Sequence, residues 1–336
     1  MLISKNRELI YSQLISESSN TPLLDIIKES IPNNNRILLK IEYANPVGSI
    51  HMRVYPYVFK QAEELGFLKP NLTPVIEASL GNAAAAFVYC ANILGYNKPF
   101  LPKVIVPENI SAERLKLLKN LGADVIFSPS ELYNIGYVNI LENKINLAKE
   151  KWINNLKIEP GRLYPVTKTR KNARLAYFNL VDEVFEECKR LKIEFVDYFV
   201  GIVGSGTSIS GISERLKELN PNSLTIASET AEFPNTTSLL NSGKPLPLEK
   251  VPKNFPPLTA IGVPLEKLNL RTDLIDKIVP YELNELDRIT DEIFKKHKIQ
   301  IGKSTAGAIS SALTLSKQIK NKCILVCAYD ERKKWN

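Results

Sequence analysis

The chain has 336 residues, 44% apolar and 24% charged, which predicts about two domains with sizeable cores and excludes a small disulfide-stapled peptide. No apolar run reaches the roughly 18 residues that cross a bilayer, and Lys5, Arg7 and Glu8 interrupt the opening stretch before a signal-type hydrophobic segment forms, so a cytoplasmic setting is expected. The formal net charge of +8 arises from basic residues dispersed over the chain, the pattern of a solvated surface rather than a nucleic-acid footprint.

In chain order, short β-branched runs alternate with segments of helical period. Strands are predicted at 36–42, 73–78, 103–107, 124–128, 197–203, 224–229 and 323–328. Helices are predicted between them at 83–95, 111–121, 173–191, 208–219, 283–297 and 305–320. Such alternation predicts parallel strands joined by crossover helices, a doubly wound α/β architecture. Residues 232–264 are rich in proline and follow neither period, which predicts a long surface excursion. Cys90, Cys188, Cys323 and Cys327 contain no C-x-x-C pair, and His51 and His297 are the only histidines, so reduced thiols and no metal site are expected.

In doubly wound sheets the ligand crevice lies beyond the carboxyl ends of the strands. Four strand-to-helix junctions therefore carry the functional signal. The first is Asn45-Pro46-Val47-Gly48-Ser49-Ile50-His51, whose Ser49 is placed to cap the next helix. The second is Ser79-Leu80-Gly81-Asn82, opening an alanine-rich helix, and the third is Gly204-Ser205-Gly206-Thr207-Ser208. Glycines followed by hydroxyls at a helix N-terminus form a cup of N–H donors that suits a phosphate. The fourth is Gly302-Lys303-Ser304-Thr305, which is not a P-loop, because position 297, where that motif needs its first glycine, is His.

Taken in order, these segments resemble the fold-type II pyridoxal-phosphate enzymes, the tryptophan synthase β-like group that holds cysteine synthase and cystathionine β-synthase. Asn20-Thr21-Pro22-Leu23 resembles the opening N-T-P motif, and Lys40-Ile41-Glu42 through Arg53 resembles K-x-E-x-x-N-P-x-G-S-x-K-D-R. Ser79 to Ala83 is similar to the family's T-S-G-N-T loop, Gly204 to Ser208 to G-T-G-G-T, Gly302 to Ala308 to G-x-S-S-G-A-A, and Asp330-Glu331-Arg332 lies near the terminal D-x-G-E-R-Y. The resemblance implies two α/β domains with mainly parallel doubly wound sheets. It implies a smaller inserted domain over 43–149 on the asparagine-loop side and a larger one from 1–42 and 150–336 on the phosphate-cup side, with the ligand cleft between them.

The same resemblance implies the site. Asn82, Gly204, Ser205, Gly206, Thr207, Ser208 and Ser304 fall on cofactor-binding positions, and Ser79, Gly81, Thr167, Lys168 and Arg170 on substrate-binding ones. His51 falls where the family carries the lysine that binds the coenzyme as a Schiff base, and imidazole forms no stable imine, although it serves as a general acid or base. Met52 replaces the usual Asp, Leu80 and Ala83 replace hydroxyl residues, and Thr207 replaces a glycine. Pro56 implies that the helix after His51 is bent, shifted or begins late. Two functions follow. One is a cysteine synthase-like pseudoenzyme, a homodimer, that binds a small anionic molecule: pyridoxal 5'-phosphate held non-covalently, or a phosphorylated or acidic amino-acid-like ligand. The other is an active lyase or transferase of amino-acid metabolism using His51 as acid and base.

Overall fold

The computed structural model describes residues 4–26, 31–79, 81–129, the backbone of 164–165, and 173–331 without 254 and 257. In chain order the elements are α1 (Lys5–Ser18), β1 (Leu23–Ile26), β2 (Arg36–Ile41), α2 (Val54–Glu64), β3 (Val75–Ala78), α3 (Asn82–Ile93), β4 (Lys103–Pro107), α4 (Ala112–Asn120), β5 (Asp124–Ser128) and β6 (Tyr164–Pro165). They continue as α5 (Phe178–Arg190), β7 (Tyr198–Ile202), α6 (Thr207–Leu219), β8 (Leu224–Thr230), α7 (Asn235–Ser242), β9 (Lys277–Tyr281), α8 (Leu286–His297), α9 (Lys303–Ser316) and β10 (Cys323–Ala328).

The chain divides into two compact units, one of residues 1–18 and 51–173, the other of 19–50 and 174–336. The first contains a four-stranded sheet of order β5-β4-β3-β6 in which every pairing is parallel. The domain boundaries expected from the sequence need three corrections. Residues 43–50 cluster with the phosphate-cup side, while α1 and β6 cluster with the asparagine-loop side, whose unit extends to Ala173 rather than ending at 149. Ion pairs hold α1 there: Arg7 binds the Glu63 carboxylate and the Leu94 carbonyl, and Lys60 binds Glu8. The Tyr89 hydroxyl also donates to Glu17 at 3.0 Å.

The second unit is built on a six-stranded sheet of order β1-β2-β10-β7-β8-β9, with only β1 antiparallel, at one edge. All six residues of β10 are buried, as a central parallel strand covered on both faces requires. Helix α9, made largely of small residues, lies close on the sheet. A Cβ on its Gly307 would come within 2.6 Å of the Tyr281 ring, and Ser311 Oγ donates to the Val279 carbonyl at 2.8 Å.

Residues 232–264 are not a surface excursion. Phe233, Leu239, Leu258, Ala260, Ile261 and Val263 are buried, and α7 lies within the segment. Its sequence NTTSLLNS has little helix propensity, but the buried Glu229 carboxylate accepts the backbone N–H of Thr237 at 3.1 Å and its hydroxyl, anchoring the first turn. The four cysteines are buried free thiols.

Candidate active site

In the second unit the site residues are organised by paired motifs. Lys40, fully buried, donates to the Thr21 carbonyl at 2.6 Å and pairs with Glu183 at 2.8 Å, while the Thr21 hydroxyl donates to the buried Glu42 at 2.6 Å. This joins the segments around Asn20–Leu23 and Lys40–Glu42. Asn45 then builds the turn leading to His51. Its amide donates to the carbonyls of Glu42 and Ser49 at 2.8 and 2.9 Å, and its Oδ1 accepts from the backbone of Val47 and Ser49 at 3.2 and 3.3 Å. Ser49 pairs with Asp330 as an antiparallel bridge and Ile50 N–H donates to the Tyr329 carbonyl at 3.0 Å. Tyr329 in turn accepts from Ile202 N–H at its hydroxyl (3.1 Å) and gives its own N–H to Thr305 Oγ1 (3.1 Å). One residue thus ties the 45–50 turn, the end of β7 and the first turn of α9, which carries the half-buried Ser304.

The predicted phosphate cup opens α6. Gly206 sits at φ 85°, and a Cβ there would come within 2.6 Å of the Leu270 backbone, so glycine is required. A Cβ on Gly204, by contrast, would meet no atom within 4 Å, which leaves open space beside the cup. Thr207 does not block the cup. Its hydroxyl accepts from Asn269 Nδ2 at 3.2 Å and lies 3.1 Å from Ser205 Oγ, drawn back among protein partners. The first N–H groups of this 13-residue helix have no intrahelical acceptor and carry the positive end of its dipole. These residues fit a phosphate.

In the first unit, His51 lies half-buried in a 3-10 turn, Ile50–Arg53, and α2 begins after it at Val54. The late start resolves the Pro56 problem, since Pro56 occupies the first helical turn, where a missing N–H breaks no bond. Ser49, expected to cap the next helix, directly precedes this 3-10 turn, and Arg53 occupies the N-cap position of α2, without a side-chain cap bond. Tyr55 hydroxyl donates to the buried Glu77 at 2.9 Å, and Cys90 Sγ lies 4.0 Å from Met52 Sδ, so the His51 turn and the asparagine loop share one frame. Within that loop Ser79 Oγ accepts from the N–H groups of Gly81 (3.1 Å) and Ala84 (3.2 Å), and Asn82 is the first residue of α3. Gly81 adopts φ 135° with Arg114 pressed against it, 3.0 Å from where its Cβ would lie. Arg114, Glu77, Tyr329 and Asn269 were not foreseen from sequence. Arg114 and Asn269 lie far along the chain from Gly81 and Thr207, and Glu77 and Tyr329 bind Tyr55 and the 45–50 turn, contacts that the motifs beside them do not mark. Thr167, Lys168 and Arg170 lie outside the described residues.

In each unit helix N-termini follow the carboxyl ends of parallel strands, the arrangement at which doubly wound α/β folds take up ligands. Residues 16–328 match the family of pyridoxal-phosphate dependent enzymes, and the chain belongs to it. Its relatives include the cysteine synthase of Buchnera aphidicola subsp. Schizaphis graminum, 30% identical over 94% of this chain and 91% of that protein. The cystathionine beta-synthase of Dictyostelium discoideum is 26% identical over 96% of this chain, which spans only 60% of that longer relative. Among solved structures, a cysteine synthase from Entamoeba histolytica superimposes with TM-score 0.76 at 22% identity, covering 100% of this chain and 92% of that one. A hydrogen sulfide-producing enzyme from Fusobacterium nucleatum follows with TM-score 0.75 at 25% identity, covering 96% and 99%. The fold is that of the fold-type II enzymes, and no helix among the described residues is long and apolar enough to cross a membrane.

Proposed function

We propose that this chain is a cysteine synthase-like member of the family that holds pyridoxal phosphate, or another small phosphorylated anion, by its phosphate and without a covalent bond to the protein. The observation that carries this is His51, which follows the Asn45–Ser49 turn at the position where the motif resemblance puts the coenzyme lysine. Bound, pyridoxal phosphate supplies an aldehyde and an electron-withdrawing ring. Covalent capture of an aldehyde as an imine needs a primary amine, which His51 lacks. Gly204 to Ser208 would hold the phosphate through backbone N–H groups, with Ser304 in the same unit, and Asn82, Ser79 and Gly81 belong to the reading through their places in the family motifs. A homodimer in the cytoplasm belongs to the same reading, tested by sedimentation and by localisation of a tagged chain.

The test is to incubate the purified protein with pyridoxal phosphate, dialyse, and treat with borohydride. The expected result is ligand retained in competition with inorganic phosphate and no coenzyme fixed to protein after reduction. A reduced adduct on any side chain overturns the proposal. The half-buried imidazole favours a second reading, in which His51 takes or gives a proton at a ring nitrogen in a lyase or transferase reaction. Turnover of an acylated or phosphorylated serine that His51→Ala abolishes would support it.

A further inference from the structure

The segment Asn269–Arg271 clasps the start of α6, largely through backbone. Asn269 N–H donates to the Ser205 carbonyl at 2.8 Å, the Asn269 carbonyl accepts from Ser210 Oγ at 3.2 Å, and Arg271 N–H donates to Ser210 Oγ at 2.9 Å. The Leu270 backbone fills the space that any side chain at Gly206 would need. This clasp brings the Asn269 side chain to Thr207, the residue of the cup that stands where the motif it resembles has a glycine and therefore no hydroxyl.

The protons of these groups can be followed one by one. Asn269 Nδ2 donates to Thr207 Oγ1 at 3.2 Å, so Thr207 accepts on that side and keeps its own proton to give. Thr207 is 6% exposed, and the acceptor it meets is Ser205 Oγ at 3.1 Å. Once Ser205 accepts that bond its own proton is left over, on an exposed residue of the cup. It stands at a helix end whose dipole favours negative charge, where a hydroxyl with a proton to give suits an anion's oxygen. We infer that Asn269 is a positioning residue of the phosphate cup: through Thr207 it turns Ser205 into a committed donor to a phosphate oxygen. The inference rests on the proposed function and adds a means of selection to it. A committed donor favours a head group that presents only acceptors, a fully ionised phosphate ester, over one that must itself donate at Ser205.

The test measures pyridoxal phosphate binding by calorimetry in a double-mutant cycle. Asn269→Asp keeps the shape of the side chain and the backbone clasp, but a carboxylate only accepts: Thr207 then donates to it, Ser205 donates to Thr207, and no hydroxyl proton remains for the ligand. Binding is expected to weaken by about tenfold or more, the scale of one hydrogen bond to a charged group. Adding Thr207→Val to Asn269→Asp is expected to recover most of that loss, because the reversed relay is cut and Ser205 regains its proton; a merely structural defect or a simple charge repulsion would persist or deepen. A loss that the second substitution does not relieve overturns the relay. So does a Ser205→Ala variant that binds as tightly as wild type, whether or not the variants at Asn269 fold. Failure of the wild-type protein to bind pyridoxal phosphate overturns the reading of the cup, and the relay with it.

Discussion

Lys40 shows how a single residue carries architecture in this chain. It is fully buried, with its ammonium satisfied by the Thr21 carbonyl and the Glu183 carboxylate. Removing one partner of such a pair strands the other charge, so Lys40→Met is expected to destabilise the protein by about 3–5 kcal/mol in a urea titration. His51 gives the complementary functional prediction: His51→Lys is expected to acquire a visible-range coenzyme absorbance that borohydride fixes, while the wild type does not. Buried acids set the alkaline limit. Burial pushes Tyr43 up to about 12, and Cys188 up to about 11 from an ordinary value near 9. Both are favoured in their protonated form by folding, so their contribution is complete below their ordinary values and declines as pH rises through the folded ones. Unfolding free energy measured from pH 9 to 12 is therefore expected to fall steadily; a flat profile would contradict the burial of these groups.

Among the elements, those with an uninterrupted signal were readable from sequence. β4, β5 and β10 coincide with their apolar runs, and α6 and α9 start within two residues of the expected positions. The unread elements share a physical reason: neighbours rather than local pattern stabilise them. β1 has four residues, one of them Asp25, which Arg36 on β2 holds through its guanidinium at 2.6 Å. β9 contains Pro280, which a strand tolerates here because β9 is the sheet edge. Close contact sets the prediction at this scale. A Cβ on Gly211 would lie 2.1 Å from the Arg174 carbonyl oxygen, so Gly211→Ala is expected to cost about 3 kcal/mol in thermal or denaturant unfolding. Gly243→Ala, where a Cβ would meet no atom within 4 Å, serves as a comparison that carries only its left-handed backbone penalty.

For the whole molecule, the chain order of the motifs revealed the family, but the assignment of α1 to the first unit could not be read from them. That assignment depends on contacts as far apart in sequence as Arg7 and Leu94. Arg7 and Glu63 are both mostly buried, and Tyr96 hydroxyl adds a third bond to Glu63 at 2.7 Å. Glu63→Gln is expected to raise amide exchange throughout α1 by about tenfold or more while leaving β10 protected, as hydrogen-exchange mass spectrometry would register. The same distance limit explains what was legible of the site. The glycine and hydroxyl signals of the cup lie within five consecutive residues, whereas Asn269, which tethers Thr207, arrives 62 positions later.

The turn before His51 is braced by four hydrogen bonds of the Asn45 side chain and by the Ser49–Asp330 bridge. That bracing is in place with an imidazole, rather than an amine, at position 51. Under the proposed reading the bracket outlasts the chemistry, so a laboratory wanting a catalyst from this scaffold begins at position 51 and goes on to Leu80, Ala83 and Thr207, where hydroxyls and a glycine of the family motifs are also exchanged.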